Sequence, residues 1–338
     1  MRRQSARKLE KVASPQFGQW QDEDKALVAM PLFHASGTCW LLIAMAAGAA
    51  AVILPRPDIG GIVNVIAQER ITHLVLVPAV LLAISQYLEQ SPTDLSCVKE
   101  MIYGASPIPL DVLRRAMQAF PRAGFTQVYG ATETAASVTY LPPEDHDPAG
   151  SERMRSCGKP FPGDEIRIID GDGNVLPTGE VGEIIIRSPT NMTGYHNKPE
   201  ATAKALAGGW YHSGDAGYFD GDGYLYIHDR LKDMIVSGGE NIYPAEVENA
   251  LHEHPAVADC AVIGVPDDKW GEAVKAIVVK RADVTPEELI AFARERIAGY
   301  KLPKTVDFID MLPRNPSGKI LKKDLREPYW AGRERKVN

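Results

Sequence analysis

Short apolar runs alternate with longer segments of helical length and period between about residues 24 and 140. Strands are expected at AAAVIL (49–54), THLVLV (72–77), VKEMIY (98–103) and FTQVYG (125–130). Strands that alternate with helices form a parallel sheet covered on both faces. Ligands of such sheets bind at the carboxyl ends of the strands. The loops GASP (104–107) and GATET (130–134) follow two of these strands and are therefore candidate ligand sites.

The apolar segment 37–54 is the one candidate for a membrane span. It is rich in alanine, is interrupted by Gly48 and ends at Pro55. A helical span needs about 20 consecutive, predominantly apolar residues. A short buried helix followed by a buried strand is the better interpretation, and no transmembrane segment is predicted.

The pattern changes twice beyond residue 140. EIRIID, GEIIIRS and GYLYIHDR are short strands broken by Gly, Asp and Pro, which indicates a β-rich region. After residue 230, helices are expected near 244–253 and 285–298, and strands near 257–265, 273–280 and 305–309. This order indicates a small α+β domain, and the basic tail after Pro313 is expected to be mobile.

The predicted fold class is therefore α/β plus α+β. An N-terminal domain over 1–230 combines a partial doubly wound α/β sheet subdomain (24–140) with a β-rich subdomain (141–230). A smaller C-terminal α+β domain covers 231–338. A chain of 338 residues is long enough for two or three domains.

Composition excludes several classes of function. The net charge is -7, so the chain lacks the basic surface that a nucleic-acid partner requires. The four cysteines form no C-x-x-C pair, and neither a zinc site nor a disulfide framework is expected. The start, MRRQSARKLEKV, has no apolar stretch behind it and does not read as a secretory signal. A reducing, cytoplasmic location is expected.

Four sequence strings occur in a characteristic order: MPLFHASG (30–37), VYGATET (128–134), a long central string (209–248) and PRNPSGKILKKDLR (313–326). The central string, GWYHSGDAGYFDGDGYLYIHDRLKDMIVSGGENIYPAEVE, is the most specific of them. Together they resemble the adenylate-forming superfamily of acyl-CoA synthetases, luciferases and peptide-synthetase adenylation domains. Bacterial fatty-acyl-CoA synthetases, of the long-chain-fatty-acid–CoA ligase type, look most similar.

The resemblance implies an AMP-forming acid–thiol ligase. Such an enzyme converts a carboxylic acid, ATP and CoA to acyl-CoA, AMP and pyrophosphate through an acyl-adenylate. The resemblance thus implies ATP and CoA as substrates, Mg²⁺ as the metal and a fatty acid as the small-molecule partner.

The YGATET segment combines an aromatic ring, hydroxyls and a carboxylate directly after a predicted strand. An adenine can stack on the ring, hydroxyls can hold phosphate, and the carboxylate can hold Mg²⁺ through oxygen. The resemblance assigns Tyr129 and Gly130 to the nucleotide. It assigns Thr132 to phosphate and Glu133 to magnesium, both with a part in catalysis. Taken alone, the segment would be interpreted as a polar turn.

The GASP and PLFH segments are candidate walls of the acyl pocket. Small residues such as Gly104 and Ala105 let the backbone approach a planar ligand closely. The family has a Gly-Ala-Pro type of loop at this point, bordering adenine and the acyl group, and Ser106 replaces its proline. The resemblance places His34 against the acyl group, together with Gly104 and Gly130. A strand-to-helix turn and a structural histidine are the plain alternatives.

Candidate nucleotide contacts and a candidate catalytic lysine lie further along the chain. A carboxylate can accept two hydrogen bonds from a ribose diol, and the resemblance assigns Asp215 and Arg230 to the ribose. It implies Lys319 as the catalytic lysine, where an ammonium would stabilise charge developing on the α-phosphate and the acyl carboxylate. The neighbouring Lys322 and Lys323 are expected to be solvated.

The resemblance also implies a hinge at Lys232. Rotation of the C-terminal domain about this hinge would separate acyl-adenylate formation from thioester formation. Gly238 and Gly239 would then border the path of the pantetheine arm of CoA, where glycine permits close approach. A hairpin turn is compatible with the same residues.

The family's phosphate loop, rich in Ser, Thr and Gly and ending in Pro-Lys-Gly, is absent upstream of PLFH. Residues 1–23 resemble no part of the family, and an exposed apolar sheet edge is expected. We therefore expect a synthetase that is incomplete as written, or one whose missing N-terminal half is supplied separately.

Two other functions remain open from the sequence: an amino-acid or aryl-acid adenylating enzyme, and a non-catalytic nucleotide-binding or interaction remnant. An amino acid would need a carboxylate partner for its ammonium group, and PLFHAS offers none.

Overall fold

The computed structural model describes residues 20–55, 57–315 and 318–332. The chain divides into two compact units. The first runs up to Ser213 and includes Gly217–Ile227, and the second comprises Gly214–Ala216 and the residues from His228 onwards. Most of the segment 1–23 lies outside the described residues.

The first sheet carries the predicted parallel strands. In the described part of the chain its strand order is β2-β1-β3-β4-β5-β6-β7. Strands β1 to β5 pair in parallel, which confirms the prediction, and β6 and β7 add antiparallel pairs at one end. The strands are β1 (Lys25–Val28), β2 (Ala50–Ile53), β3 (His73–Leu76), β4 (Glu100–Gly104), β5 (Gly124–Tyr129), β6 (Thr139–Leu141) and β7 (Lys159–Pro160).

Four helices connect the parallel strands: α1 (Ala35–Ala46), α2 (Ile59–Glu69), α3 (Pro78–Gln90) and α4 (Leu110–Ala119). Local sequence explains where two of them begin. The Asp58 carboxylate accepts a hydrogen bond from the Gly61 N–H and caps α2. Pro78 occupies the first turn of α3, where its missing N–H costs nothing. Apolar residues of α2, α3 and α4 pack against β3, β4 and β5 in one continuous core.

The prediction of a buried helix and a buried strand within 37–54 is right about the elements and wrong about their burial. Leu42 and Met45 of α1 are 39% and 64% exposed, and Ile53 of β2 is 47% exposed. In the described part of the chain, β2 is the edge strand of the sheet and pairs with β1 alone. Sequence pattern records apolarity, whereas burial depends on what packs outside the element.

The second sheet lies in the predicted β-rich region and has the order β11-β10-β9-β8. Its strands are β8 (Glu165–Ile169), β9 (Gly182–Arg187), β10 (Tyr211–Phe219) and β11 (Leu225–Arg230), with helix α5 (Pro199–Ala205) between β9 and β10. Asp170 and Asp220 each accept backbone N–H bonds from residues two and four positions ahead. The two Asp-Gly-rich segments are therefore turns.

The C-terminal unit is the expected small α+β structure. Its elements are β12 (Ile235–Ser237), β13 (Glu240–Ile242), α6 (Pro244–His252), β14 (Val257–Asp267), β15 (Gly271–Lys280), α7 (Pro286–Arg294), β16 (Thr305–Phe308) and α8 (Lys322–Trp330). Thr285 and Glu288 form a capping box at the start of α7.

Helix α8 was not predicted, because its polar and basic sequence suggested a mobile tail. It is held by contacts that are distant in sequence: the indole N–H of Trp330 donates to the Gly264 carbonyl of β14 at 2.9 Å. None of the helices in the described ranges is both long and apolar enough to cross a membrane.

Candidate functional site

The carboxyl ends of β4 and β5 lie side by side, as the sequence predicts. Gly104, the last residue of β4, pairs in register with Val128 of β5. A side chain at Gly104 could not be accommodated, because its Cβ would lie 2.2 Å from the Val128 carbonyl oxygen. The next residue, Ala105, adopts a positive φ of 71°, a conformation that a non-glycine residue rarely adopts. The GASP loop thus turns sharply beside Tyr129.

A short 3-10 turn, Thr132–Thr134, follows β5. The Thr134 hydroxyl accepts from the Ala131 N–H at 3.0 Å and is completely buried. Gly130 is required here, because a Cβ would lie 1.7 Å from the Ala136 carbonyl oxygen. The turn leaves Thr132 exposed and Glu133 half-buried. Predicted phosphate and metal contacts therefore lie next to the Gly104–Tyr129 edge.

A loop after β9 holds this turn from outside. The hydroxyl of Tyr195 donates to Glu133 Oε1 at 2.8 Å, and the Met192 N–H donates to the Glu133 carbonyl at 2.6 Å. The hydroxyl of Thr190 donates to the Thr134 carbonyl at 2.9 Å. Burial, followed by the hydrogen bond and charge of Glu133, raises the pKa of Tyr195 to about 12.

Sequence reasoning missed Tyr195. The residue lies in the segment GYHN (194–197), more than sixty positions from Glu133. Its local sequence contains an aromatic residue next to a glycine, which is common in turns. The pairing with Glu133 depends on the fold, and no local pattern predicts it.

The residues around Glu133 fit a magnesium ion that arrives with a nucleotide. In the described ranges, no group of three or more His, Cys, Asp or Glu side chains could hold a metal ion by itself. Mg²⁺ usually keeps several waters and binds through one or two carboxylates together with substrate phosphates. Glu133 supplies one such carboxylate, with Oε1 fixed by Tyr195.

His34 lies at the same edge of the sheet, in the connection from β1 to α1. It is the N-cap of α1, and its Nδ1 lies 2.8 Å from the Ser36 hydroxyl. Since β1 and β4 run in the same direction, the connection that contains His34 and the GASP loop both follow carboxyl ends of strands. The capping bond gives His34 a structural role.

Asp215 and Arg230 come together in the second unit. The guanidinium Nε of Arg230 lies 3.3 Å from Asp215 Oδ1. The Asp215 side chain is 13% exposed and that of Arg230 is 49% exposed. The preceding residue, Gly214, has a φ of 69°, which favours glycine.

The loop that carries Lys319 is closed by its own backbone. The Asn315 N–H donates to the Lys319 carbonyl and the Lys319 N–H donates to Asn315 Oδ1, both at 2.9 Å. Arg314 anchors the loop, because its guanidinium bonds both the Gly318 carbonyl and Asp259 at 2.6 Å. Lys319 is therefore presented by a tethered loop. Residues 316–317 of the motif lie outside the described residues.

The expectation that Lys322 is solvated is wrong, whereas Lys323 is exposed as expected. The Lys322 side chain is 14% exposed, and its ammonium nitrogen lies 2.8 Å from Glu248 Oε1 and 3.7 Å from Asp229 Oδ2. Burial alone would lower the pKa of Lys322, but the charges of Glu248 and Asp229 raise it overall. Burial raises the pKa of Asp229 despite the neighbouring ammonium.

The segment around Lys232 is a short turn, Leu231–Asp233, that exposes the lysine. Asp233 of this turn pairs with Arg326 of α8 at 2.7 Å. Gly238 and Gly239 follow at the β12–β13 hairpin with φ angles of 62° and 87°. A Cβ on Gly238 would lie 2.6 Å from the ring of Trp270, whereas Gly239 has open space around it.

Comparisons with known proteins identify the family of this chain. Residues 4–196 match the AMP-binding enzyme family, and residues 246–319 match the AMP-binding enzyme C-terminal domain. The first match begins at residue 4, so the expectation that residues 1–23 resemble no part of the family is wrong from that residue onwards. The chain belongs to the AMP-binding enzyme family. The predicted fold class, with its several sheets and mixed α/β character, is confirmed by solved structures of this family.

Three proteins illustrate the similarity. Fatty acid–[acyl-carrier-protein] ligase ScoC of Streptomyces coeruleorubidus is 41% identical over 94% of this chain and 62% of its own length. Feruloyl-CoA synthase of Amycolatopsis sp is 43% identical over 91% of this chain and 62% of its own length. Medium/long-chain-fatty-acid–CoA ligase FadD8 of Mycobacterium tuberculosis is 36% identical over 98% of this chain and 59% of its own length.

Two solved structures have the same fold. Amide bond synthetase McbA of Marinactinospora thermotolerans superposes with a TM-score of 0.88 at 35% identity, over 96% of this chain and 65% of that one. The o-succinylbenzoate CoA synthetase of Bacillus subtilis, in complex with ATP and magnesium ion, has a TM-score of 0.82 at 35% identity, over 95% and 65%. The chain thus spans less than two thirds of the length of these relatives.

Proposed function

We propose that this chain is the part of an ATP-dependent acyl-CoA synthetase that binds the nucleotide and the acyl group, and that the acid is a fatty acid. The carboxylate of the acid attacks the α-phosphorus of ATP and releases pyrophosphate. The thiol of CoA then attacks the acyl carbonyl carbon and releases AMP. A cytoplasmic location, where ATP and CoA are available, fits this reaction.

One observation favours an acid without an amine over an amino acid. The segments that follow the carboxyl ends of β1, β3 and β4 are 29–34, 77–79 and 105–107, and none contains Asp, Glu, Lys or Arg. They follow parallel strands of the same sheet as β5, which ends at Tyr129, and β4 is the direct neighbour of β5. A substrate ammonium buried there would have no carboxylate partner from these segments, which is costly. An apolar acid without an amine has no such cost.

Each candidate residue then has a proposed task. Tyr129 and Gly130 contact adenine, Thr132 holds phosphate, and Glu133 holds Mg²⁺, which would neutralise phosphate charge during adenylation. Gly104, Ala105 and His34 border the acyl group and the base. Asp215 and Arg230 hold the ribose, Lys319 stabilises the charge of the adenylation step, and Lys232 is the hinge. Gly238 and Gly239 border the pantetheine arm.

The second half-reaction is the direct test in this 338-residue chain, because it needs no contact with the β- and γ-phosphates. Purified protein is mixed with CoA and presynthesised acyl-adenylates of a fatty, an aryl and an amino acid, and thioester formation is followed. We expect the fatty acyl-adenylate to react fastest. Aryl acids are the second candidate, because feruloyl-CoA synthase is 43% identical to this chain.

The outcomes separate the proposals. Faster reaction of the aryl adenylate would replace the fatty acid and keep the ligase. No thioester from any adenylate would contradict the ligase and favour a non-catalytic nucleotide-binding protein. In an enzyme restored to the length of its relatives, Lys319→Ala should slow acyl-AMP formation by roughly 10²–10³ and spare the thioester step. The exposed Lys323→Ala is the matched control.

A further inference from the structure

Glu133 is held at two points by one loop, Ser188–Tyr195. The Met192 N–H fixes its backbone carbonyl at 2.6 Å, and the Tyr195 hydroxyl fixes its side chain through Oε1 at 2.8 Å. Backbone fixation alone would leave the carboxylate free to rotate about its side-chain torsions. The tyrosine bond removes that freedom, because it defines where one of the two oxygens lies.

The tyrosine is itself held in place by α5. Its backbone N–H donates to the Thr202 hydroxyl at 2.9 Å, and that hydroxyl donates to the Lys198 carbonyl at 2.8 Å. Gly194 allows this approach, because a Cβ there would lie 2.7 Å from Thr202 Cγ2. Helix α5 therefore holds the backbone of Tyr195, and the tyrosine hydroxyl holds the Glu133 carboxylate.

We propose that Tyr195 is a positioning residue for Glu133, directing the second carboxylate oxygen to the magnesium ion of bound MgATP. This inference rests on the proposed function. Tyr195 would contact neither the nucleotide nor the metal and would act only through Glu133. Groups that orient a metal ligand raise metal affinity because they remove the cost of ordering that ligand on binding.

The test uses binding, so it does not depend on turnover. Calorimetric titration of the full chain with ATP, with and without Mg²⁺, gives the ratio of the two affinities, which we call the magnesium gain. AMP without Mg²⁺ is titrated separately. Tyr195→Phe should lower the magnesium gain by about 10- to 100-fold, the range typical of lost metal-orienting contacts. It should leave the affinity for AMP unchanged.

A double-mutant cycle separates positioning from general damage to the loop. Glu133→Gln should lower the magnesium gain by itself, and adding Tyr195→Phe to it should lower the gain no further, because the two residues act through one carboxylate. Thr190→Val is the matched control within the same loop. It removes the bond to the Thr134 carbonyl without touching the Glu133 carboxylate, so it should preserve the magnesium gain.

Three results would overturn the inference. The first is a magnesium gain in Tyr195→Phe equal to that of wild type. The second is that Tyr195→Phe lowers the magnesium gain as much in the Glu133→Gln background as it does in wild type, and the third is that Tyr195→Phe weakens AMP binding as much as it lowers the magnesium gain. Wild-type protein that binds AMP, but binds ATP equally with and without Mg²⁺, would overturn this inference alone. Wild-type protein that binds no AMP would contradict the proposed function and the inference with it.

Discussion

The guanidinium of Arg230 lies 3.3 Å from the carboxylate of Asp215, and both side chains come from neighbouring strands of the second sheet. Half of the Arg230 side chain is exposed. An ion pair of this kind contributes only about 0–1 kcal/mol to folding. Loss of this ion pair should therefore cost little stability, and the melting temperature of the Asp215 variant shows whether the protein is folded when ligand binding is measured.

Asp215→Ala should weaken the binding of AMP by roughly 1.5–3 kcal/mol, the value of a lost charge-assisted hydrogen bond. Calorimetric titration of wild type and variant gives the two dissociation constants. Asp172→Ala, an exposed aspartate in the β8–β9 turn, is the matched control and should bind AMP as wild type does. Equal affinity of Asp215→Ala and wild type would remove this residue from the nucleotide site.

Lys322 and Lys323 are adjacent in sequence and should differ in their effect on stability. Lys322→Met leaves Glu248 and Asp229 as uncompensated, largely buried carboxylates, which should cost about 3–5 kcal/mol. Lys323→Met should stay within about 0.5 kcal/mol, because Lys323 is exposed. Hydrogen exchange of the α6 and α8 amides measures both. Similar protection in the two variants would contradict the importance of the buried ion pairs.

The same lysines show how far sequence reasoning reaches. Strands β2 to β5 of the first sheet and the loops at the ends of β4 and β5 were predictable, because hydrophobic period and Gly-rich turns are local signals. Strands β1, β6 and β7 were not among the predicted strands. The burial of Lys322 was not predictable, because its partners Glu248 and Asp229 come from α6 and β11, which are distant from Lys322 in sequence. Helix α8 was missed for the same reason: tertiary contacts stabilise a segment whose composition resembles a mobile tail.

In the candidate site, too, some residues could be predicted from sequence and others could not. Tyr129, Glu133 and Asp215 could be nominated from sequence through the resemblance of YGATET and the central string to the adenylate-forming superfamily. The loop that holds Glu133 through Met192 and Tyr195 could not be nominated from sequence, because hydrogen bonds between distant segments leave no pattern in one sequence. The exposure of α1 and β2 could not be predicted from sequence either, because it depends on what covers the edge of the sheet.

Gly238 and Gly239 are a second pair of adjacent residues whose substitution should affect stability differently. Both have positive φ, so alanine should cost about 1 kcal/mol at either position. Gly238→Ala should cost more, because its Cβ would collide with the ring of Trp270, while Gly239→Ala meets open space. Exchange of the β12 and β13 amides, together with tryptophan fluorescence, reports the difference. A larger effect for Gly239→Ala would contradict the packing at Trp270.

Glu100, at the start of β4, should weaken the fold at alkaline pH. Burial, and then the charges of Glu144 and Asp24, raise the pKa of Glu100 to about 7 from 4.5. A raised carboxyl pKa gives stability that is complete below pH 4.5 and is lost as pH rises through 7. Glu100→Gln should therefore raise the melting temperature relative to wild type at pH 8, with a much smaller effect near pH 4.5. The exposed Glu89→Gln is the control, and equal shifts in both variants would contradict the prediction.

His73, in β3, should weaken the fold at acid pH. Its ring stacks on Trp20 at 3.9 Å, Nδ1 lies 2.8 Å from the Thr72 hydroxyl, and the residue is 1% exposed. Its buried Nε2 has no hydrogen-bond partner in the described part of the chain. Burial is the main reason why the pKa of His73 falls from 6.5 to about 4; the Lys99 charge adds to this and Asp24 opposes it.

A lowered histidine pKa means that the unfolded chain binds the proton more tightly. The contribution of His73 to stability is therefore complete above pH 6.5 and declines as pH falls towards 4. The loss amounts to at most about 3 kcal/mol. His73→Leu should reduce the fall in melting temperature between pH 6.5 and pH 4, even if the variant melts lower than wild type at pH 7. His196→Leu, at an exposed position, is the control and should show the same dependence of melting temperature on pH as wild type. An NMR titration of the imidazole provides an independent check, and a His73 that titrates near pH 6.5 would contradict the burial argument.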